Sequence, residues 1–286
     1  MQANLGADLI REPFRGGFEY TTVYSYTDEV IVNDDELRVV PYEDMHTVRG
    51  KYEVDTRPVS SQVEFEDDFG NLVFRIKVTV PHKELEVVSK GTFKLLPWAG
   101  PYSDIQIDSL VYPDDLSSYV LPSPMVKPNL LKEKAVDISG GTSTLLTRVS
   151  SVVNWVHDNI AYEKGVTSVN TDAKQVLDQG RGVCQDKVQL TLGFLRALSI
   201  PCRYVSCILT QQEGDTHAYA EFYHPKAGWL PADPTKGIMI EAGTLYLKLA
   251  VGRDYTEASP IRGSFLSKGV GKLAKVYARV IPDKAY

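Results

Sequence analysis

Two hydrophobic periodicities divide the chain. From Phe18 to Leu96 apolar and polar residues alternate in short runs, the period-two signature of strands. Residues 20–26 and 36–41 are two such runs, and Asn33-Asp34-Asp35 between them reads as a turn. The clearest hairpin starts with Val63 and Phe65 alternating with Glu64 and Glu66. It turns through Asp67-Asp68-Phe69-Gly70-Asn71 and returns along Leu72, Phe74, Ile76, Val78 and Val80. A further strand passes through Leu85, Val87 and residues 91–95. Short strands with acidic turns and one polar face predict an antiparallel sandwich of about 100 residues.

The period then changes. Residues 97–128 are proline-rich, hold Asp114-Asp115 and Ser117-Ser118, and read as an irregular connection in which Trp98 and Tyr102 pack. After a cap region at 139–143, Leu145, Val149, Val152, Val156 and Ile160 recur at helical spacing, with Leu146 and Val153 widening the stripe. His157 and Asp158 fall at the end of that helix, where a histidine reads as a surface residue compatible with the helix dipole. A short helix capped by Thr171 or Asp172 runs through Leu177 and stops at Gly180. Over 187–200, Val188, Leu192, Leu195 and Ser199 share one stripe while Leu190, Phe194 and Leu198 fill the next. That predicts a buried helix ended by Pro201. Strands are expected over 203–209, 217–224, 228–231 and 244–251. The fold class is therefore α+β: an N-terminal β-sandwich domain with its connection over 1–128, then helices packed on an antiparallel sheet over 129–286.

Bulk properties narrow the function. The 286 residues are 43% hydrophobic and 24% charged, which excludes gross disorder. A net charge of -6 and a pI near 5.5 exclude an electrostatic nucleic-acid binder. The first dozen residues lack the apolar run of a signal peptide, and no window has the length to span a bilayer, so a cytoplasmic protein without a membrane partner is expected. Gly16-Gly17 and Gly269-Val270-Gly271 lack the strand–turn–helix setting of a phosphate cradle, and the acidic residues lack EF-hand spacing. Neither a cofactor nor a metal is expected.

Three cysteines are too few for a disulfide framework. Cys202 and Cys207 lie five apart on one predicted strand, on opposite faces, and read as small buried hydrophobes. Cys184 differs. It sits in Arg181-Gly182-Val183-Cys184-Gln185-Asp186, where a loop enters the buried helix, and the positive end of a helix dipole favours a thiolate over a thiol. His217 begins a strand in which Ala218, Ala220 and Phe222 form the apolar face. His217, Tyr219, Glu221 and Tyr223 point the other way, towards a cleft at the sheet edge. The next strand ends in Asp233-Pro234-Thr235, and hairpin pairing brings Asp233 beside His217 to orient its imidazole. Each residue alone has a bland reading as packing or turn. Together they make a nucleophile, a base and an orienting acid.

These residues carry a resemblance. The segments 182–186, 197–205, His217-Ala218 and Trp229 through Asp233-Pro234-Thr235 are similar to the transglutaminase-like superfamily. The runs 251–255 and 259–263 resemble its bacterial branch. Residues 20–26, Asp68-Phe69-Gly70-Asn71 and Pro81-His82-Lys83-Glu84-Leu85 resemble the β domain preceding the core in those proteins. The resemblance implies a papain-like core with a Cys-His-Asp triad at Cys184, His217 and Asp233. It also implies thiol-dependent acyl transfer at amide bonds of a peptide or protein, as a cysteine protease or amidase or as a transglutaminase-like enzyme. Gln185 is a candidate second oxyanion donor, or a side chain bonded to its own loop. Tyr162 matches a position near the active-site wall, or is a core tyrosine. The chain departs from the family pattern at Lys187-Val188-Gln189, where an aromatic residue and Ala-His are frequent. It departs again at Tyr219, where Trp is frequent; Tyr219 is expected near the cleft. The alternative is a peptide-binding module that keeps the scaffold without catalysis.

Overall fold

A computed structural model describes residues 13–96, 102–239 and 246–283. Trp98 and the expected start of a strand at 244 lie outside the described residues. Five strands come first: β1 (Phe14–Leu37), β2 (Thr47–Arg57), β3 (Ser61–Glu66), β4 (Leu72–Val78) and β5 (His82–Leu95). Helices α1 (Lys132–Ser139), α2 (Leu145–Asn159), α3 (Ala173–Gln179) and α4 (Cys184–Ala197) follow, with two-residue strands β6 (Ala161–Tyr162) and β7 (Arg181–Gly182) around α3. A second sheet holds β8 (Cys202–Leu209), β9 (His217–His224), β10 (Gly228–Asp233), β11 (Ile238–Met239) and β12 (Tyr246–Gly252) in the order β11-β10-β9-β8-β12. Helix α5 (Tyr255–Ala258) and strands β13 (Ile261–Ser267) and β14 (Gly271–Pro282) complete the chain.

The first sheet is organised by β1. Its first half lies between β5 and β14, its second half between β4 and β13, and the pairing with β5 shifts between Ser25 and Val30. One 24-residue strand thus serves two layers. The layers face each other: the Tyr52 ring of β2 lies edge-on to Phe74 of β4 at 5.9 Å, and its hydroxyl donates to Glu64 of β3 at 3.0 Å. Phe18, Leu85 and Val87 of one layer share a buried cluster with Ile76 and Val78 of the other.

Asn33-Asp34-Asp35 is not a turn; it continues β1. Asn33 and Asp34 find side-chain partners, so the strand need not break there, while Asp35 is buried with its Oδ2 unpartnered among the described residues. Arg75 donates to both carboxylate oxygens of Asp34 at 2.9 and 3.0 Å, and Asn33 donates to Tyr26 Oη at 3.1 Å. The hairpin at 67–71 is as expected, with Asp67 Oδ1 accepting from the backbone N–H of Phe69 and Asn71 and Gly70 at φ +78°. Strand β2 went unrecognised although exposed Lys51, Glu53, Asp55 and Arg57 alternate with half-buried Tyr52 and Val54 and buried Thr56; the register shift between Arg49 and Tyr52 interrupts that alternation. Strands β13 and β14 also went unrecognised. They return to β1, so the sequence boundary at 128 does not separate the two sheets.

Helix α4 is the axis of the second unit. Residues 186–196 are all buried, against β8 and β9 on one side and α1–α3 around the rest. It ends at Ala197, three residues before the expected stop, in a Schellman arrangement: Ile200 N–H donates to Leu195 O and Ser199 N–H to Arg196 O, both at 2.9 Å. Ser199 takes the left-handed position at φ 59° in place of a glycine.

The two sheets are locked together. The Asn71 side chain, fully buried, makes two 2.8 Å bonds to the backbone of Val251 in β12. Ile208, Leu247 and Leu249 of the second sheet enter the sandwich cluster. Beside them Glu221 receives Arg203 at 2.6 Å and Lys248 at 2.6 Å, and Lys248 also reaches Asp44 at 2.5 Å. Burial alone would raise the Glu221 carboxyl, but Arg203 and Lys248 outweigh it and hold it down at about 2.

Two outcomes follow from this geometry. Ser199→Gly relieves a left-handed non-glycine residue and should raise stability by about 1 kcal/mol in denaturant unfolding. Glu221→Gln leaves Arg203 and Lys248 buried with too little negative charge and should cost about 3–5 kcal/mol. Because the folded-state value of Glu221 is depressed, its contribution is complete above its ordinary value near 4.5 and is lost as pH falls through about 2. The cost of Glu221→Gln, followed by thermal melting, should therefore be constant above pH 5 and shrink towards pH 2.

Candidate active site

Cys184 is the first residue of α4, with Val183 extended before it as the cap. At this position its backbone N–H has no intrahelical acceptor and faces outward. The turn is held by Asp186, whose Oδ2 accepts from Val183 N–H and from the Thr167 hydroxyl, both at 2.7 Å. A Cβ on Gly182 would stand 2.6 Å from that same oxygen, so Gly182 is required for space and not for an unusual φ. The parallel β6–β7 bridge, Ala161 with Arg181 and Tyr162 with Gly182, fixes Tyr162 next to this loop.

His217 opens β9 and Asp233 closes β10, its antiparallel neighbour. His217 Nε2 meets Asp233 Oδ2 at 2.8 Å. The carboxylate is fully buried and every lone-pair direction is used: Tyr246 donates its hydroxyl to Oδ2 at 2.6 Å, and the backbone N–H groups of Thr235 and Lys236 donate to Oδ1 at 2.8 and 3.2 Å. Burial by itself would raise Asp233, but these bonds, His217's first, hold it below the usual carboxylate range. With Nε2 committed to Asp233, the other ring nitrogen, Nδ1, is left for Cys184.

His217 and Cys184 line one cavity of about 340 Å³ together with Gln185 and Tyr162. Burial pulls the His217 imidazole towards the neutral form. Hydrogen bonding and charge from Asp233 and then from Cys184 outweigh it and raise His217 to about 9. The other cysteines stand apart. Burial pushes Cys202 up to about 11 and Cys207 well above the ordinary thiol value, and they face different buried clusters.

The structure therefore brings together Cys184, His217 and Asp233, and adds Gln185 and Tyr162 to the same cavity, Tyr162 half exposed as a wall residue. Tyr219 is different. It is buried, does not line the cavity, and stacks on Tyr246 at 4.5 Å. The expected cleft face of β9 is covered after its first residue: Tyr219 and Glu221 pack under Tyr246 and beside the Lys248 and Arg203 cations. His217 escapes because it is the strand's first residue.

Tyr246 was missed. Its ring lies over both His217 and Tyr219, at 5.9 and 4.5 Å, and its hydroxyl reaches Asp233 across two intervening strands. No local spacing signals such a contact. Lys187 also has a place. Buried, it donates to the His157 carbonyl at 3.2 Å, and His157 Nδ1 lies 3.1 Å from the Thr235 carbonyl in the loop after Asp233. His157 is exposed in the last turn of α2, as expected, and also braces that loop. Among the described residues no group of three or more His, Cys, Asp or Glu side chains gathers to hold a metal ion. No described helix is long and apolar enough to cross a membrane.

Comparison with known proteins agrees with this architecture. Residues 132–234 match the transglutaminase-like superfamily, and residues 18–94 match the bacterial transglutaminase-like N-terminal region. An uncharacterized protein of Mycobacterium leprae is 27% identical over 266 residues, covering 89% of this chain and 94% of that protein. One from Mycobacterium tuberculosis is 24% identical over 291 residues, covering 92% and 91%. The crystal structure of a "putative cysteine protease" from Cytophaga hutchinsonii superposes with a TM-score of 0.78 at 20% identity, covering 96% of this chain and 93% of that one, which shows a shared fold. The chain thus joins a bacterial transglutaminase-like N-terminal region, over 18–94, to a transglutaminase-like superfamily core, over 132–234.

Proposed function

We propose that the protein catalyses acyl transfer at amide bonds of a peptide or protein, with Cys184 as nucleophile, His217 as base and acid, and Asp233 as the group that orients His217. The observation that carries this reading is the bond between His217 Nε2 and the buried Asp233 carboxylate, which turns Nδ1 towards a cysteine at the first turn of a helix. The Cytophaga hutchinsonii neighbour, which shares this fold, is described as a "putative cysteine protease", in line with this reading.

The steps follow from the geometry. His217 takes the Cys184 proton, and the sulfur attacks the amide carbonyl carbon. The C=O π pair moves to oxygen, which accepts from the backbone N–H of Cys184, with Gln185 of the same cavity assigned as the second donor. Collapse of the tetrahedral adduct breaks the C–N bond, and the leaving amine takes the proton from His217. The acyl group then rests on sulfur as a thioester. Water or a second amine attacks it, His217 removes the proton of that nucleophile, and the C–S bond breaks to return the proton to the Cys184–His217 pair. Hydrolysis and amine transfer differ in the acceptor alone.

Cys184→Ala should lower kcat/KM on peptide amides at least about a thousandfold, while iodoacetamide at pH 6 should label Cys184 well ahead of Cys202 and Cys207, read by peptide mass spectrometry. Equal labelling of the three would contradict an activated thiol. Tyr246→Phe removes one donor from Asp233 and keeps the stacked ring. It should reduce kcat roughly tenfold with little change in KM, and the charge released on Asp233 should move the alkaline limb of the pH–rate profile upward. An unshifted limb would give Tyr246 a purely structural role. The limb itself is expected near pH 9, where His217 loses its proton. The sign for stability is fixed by the same shift. The folded-state value lies above the ordinary 6.5, so the contribution of the His217 contact is complete below pH 6.5 and is lost as pH rises through about 9. Asp233→Asn should therefore lower the melting temperature more at pH 6 than at pH 10.

A further inference from the structure

The cavity at Cys184 has two walls of different origin. The core supplies one, with the first turn of α4 and His217. The other belongs to the N-terminal sandwich: Tyr20, Thr22 and Tyr24 from alternate positions of β1, and Leu273 and Val276 from β14. Those two β14 residues are three apart and would face opposite ways on a regular strand. Thr22 pairs with Val276, Val23 with Lys275 and Tyr24 with Leu273, which leaves Ala274 as an extra residue. That bulge turns Leu273 and Val276 to the same side. It has a consequence at the site, because both side chains then face the sulfur's cavity.

The position of this wall relative to His217 is fixed by backbone bonds. Gly214, three residues before His217, exchanges hydrogen bonds with Ala278 of β14 at 3.0 and 2.7 Å. Its chemistry is apolar and aromatic. Apart from His217, the charged side chains lining the cavity among the described residues are Lys164 and Asp215, and these neutralise each other at 2.7 Å. A charged group placed against β1 and β14 would lose water and gain no partner. An apolar or aromatic one would be buried against Tyr24, Leu273 and Val276. The cavity's 340 Å³ is at the small end of the range for ligand sites, about 300–1,000 Å³, and suits one side chain with its adjoining backbone.

We infer that β1 and β14 form a specificity subsite that accepts a neutral apolar or aromatic side chain beside the amide presented to Cys184. This deepens the acyl-transfer reading and rests on it for the identity of the scissile bond. The N-terminal domain is then part of the substrate site, and a core without it would lose selectivity.

The test uses binding, which needs no turnover. Full-length protein carrying Cys184→Ala is titrated calorimetrically with acetyl-Gly-X-Gly amides in which X is Phe, Leu, Asp or Lys. The Phe and Leu peptides should bind at least about tenfold more tightly than the Asp and Lys peptides. Leu273 is 53% exposed, so Leu273→Arg can be introduced without opening a core, and it should abolish that difference. Tyr24→Ala, with folding checked by thermal melting, should weaken Phe binding about tenfold. Equal affinity for all four peptides, or a Phe preference that survives both substitutions, would overturn the subsite. The iodoacetamide experiment on the wild-type protein stays separate: if selective labelling fails while the Phe preference holds, the acyl-transfer reading falls and the subsite stands.

Discussion

The site depends on a buried carboxylate that has no unmet need. Asp233 lies out of solvent and accepts from the His217 ring, the Tyr246 hydroxyl and two backbone N–H groups. A buried carboxylate is tolerable when its charge is balanced and its lone pairs are filled. Here the balance comes from an imidazole raised to about 9, so the folding requirement of Asp233 and the protonation of His217 are one interaction seen from two sides. The loop after Asp233 is braced in turn by His157, and the end of α2 by Lys187.

A second constraint is long β1, which belongs to both layers of the sandwich and also faces Cys184. The Asn71 clamp, the Glu221 cluster and the Gly214–Ala278 bridge tie the sandwich to the core at three separate places. The two units share buried surface and share the cavity. An N-terminal domain attached in this way cannot drift relative to Cys184 without breaking buried polar contacts.

Much of this was legible in the chain, for identifiable reasons. The α2 and α4 helices and the β3–β4 hairpin carry strong periodic signals. Cys184, His217 and Asp233 stand at element ends, where chemistry-bearing residues leave the core pattern. What was not legible depends on partners distant in sequence. Asn33-Asp34-Asp35 has turn composition, yet Arg75 holds Asp34, and Tyr26 and His82 hold Asn33, within a strand. Tyr219 reads as a cleft residue by alternation, and Tyr246 covers it. Tyr246 and the β14 bulge could not be found from local spacing, since each acts on a residue brought near by topology.

The central claim is that Cys184 and His217 act on each other as a pair. Following the His217 ring carbon protons by NMR across pH, in the wild-type and Cys184→Ala proteins, tests it most directly. The account predicts that the wild-type ring stays protonated to about pH 9 and that losing the thiol moves its titration clearly lower. A ring that titrates near its ordinary 6.5 in both proteins would contradict it.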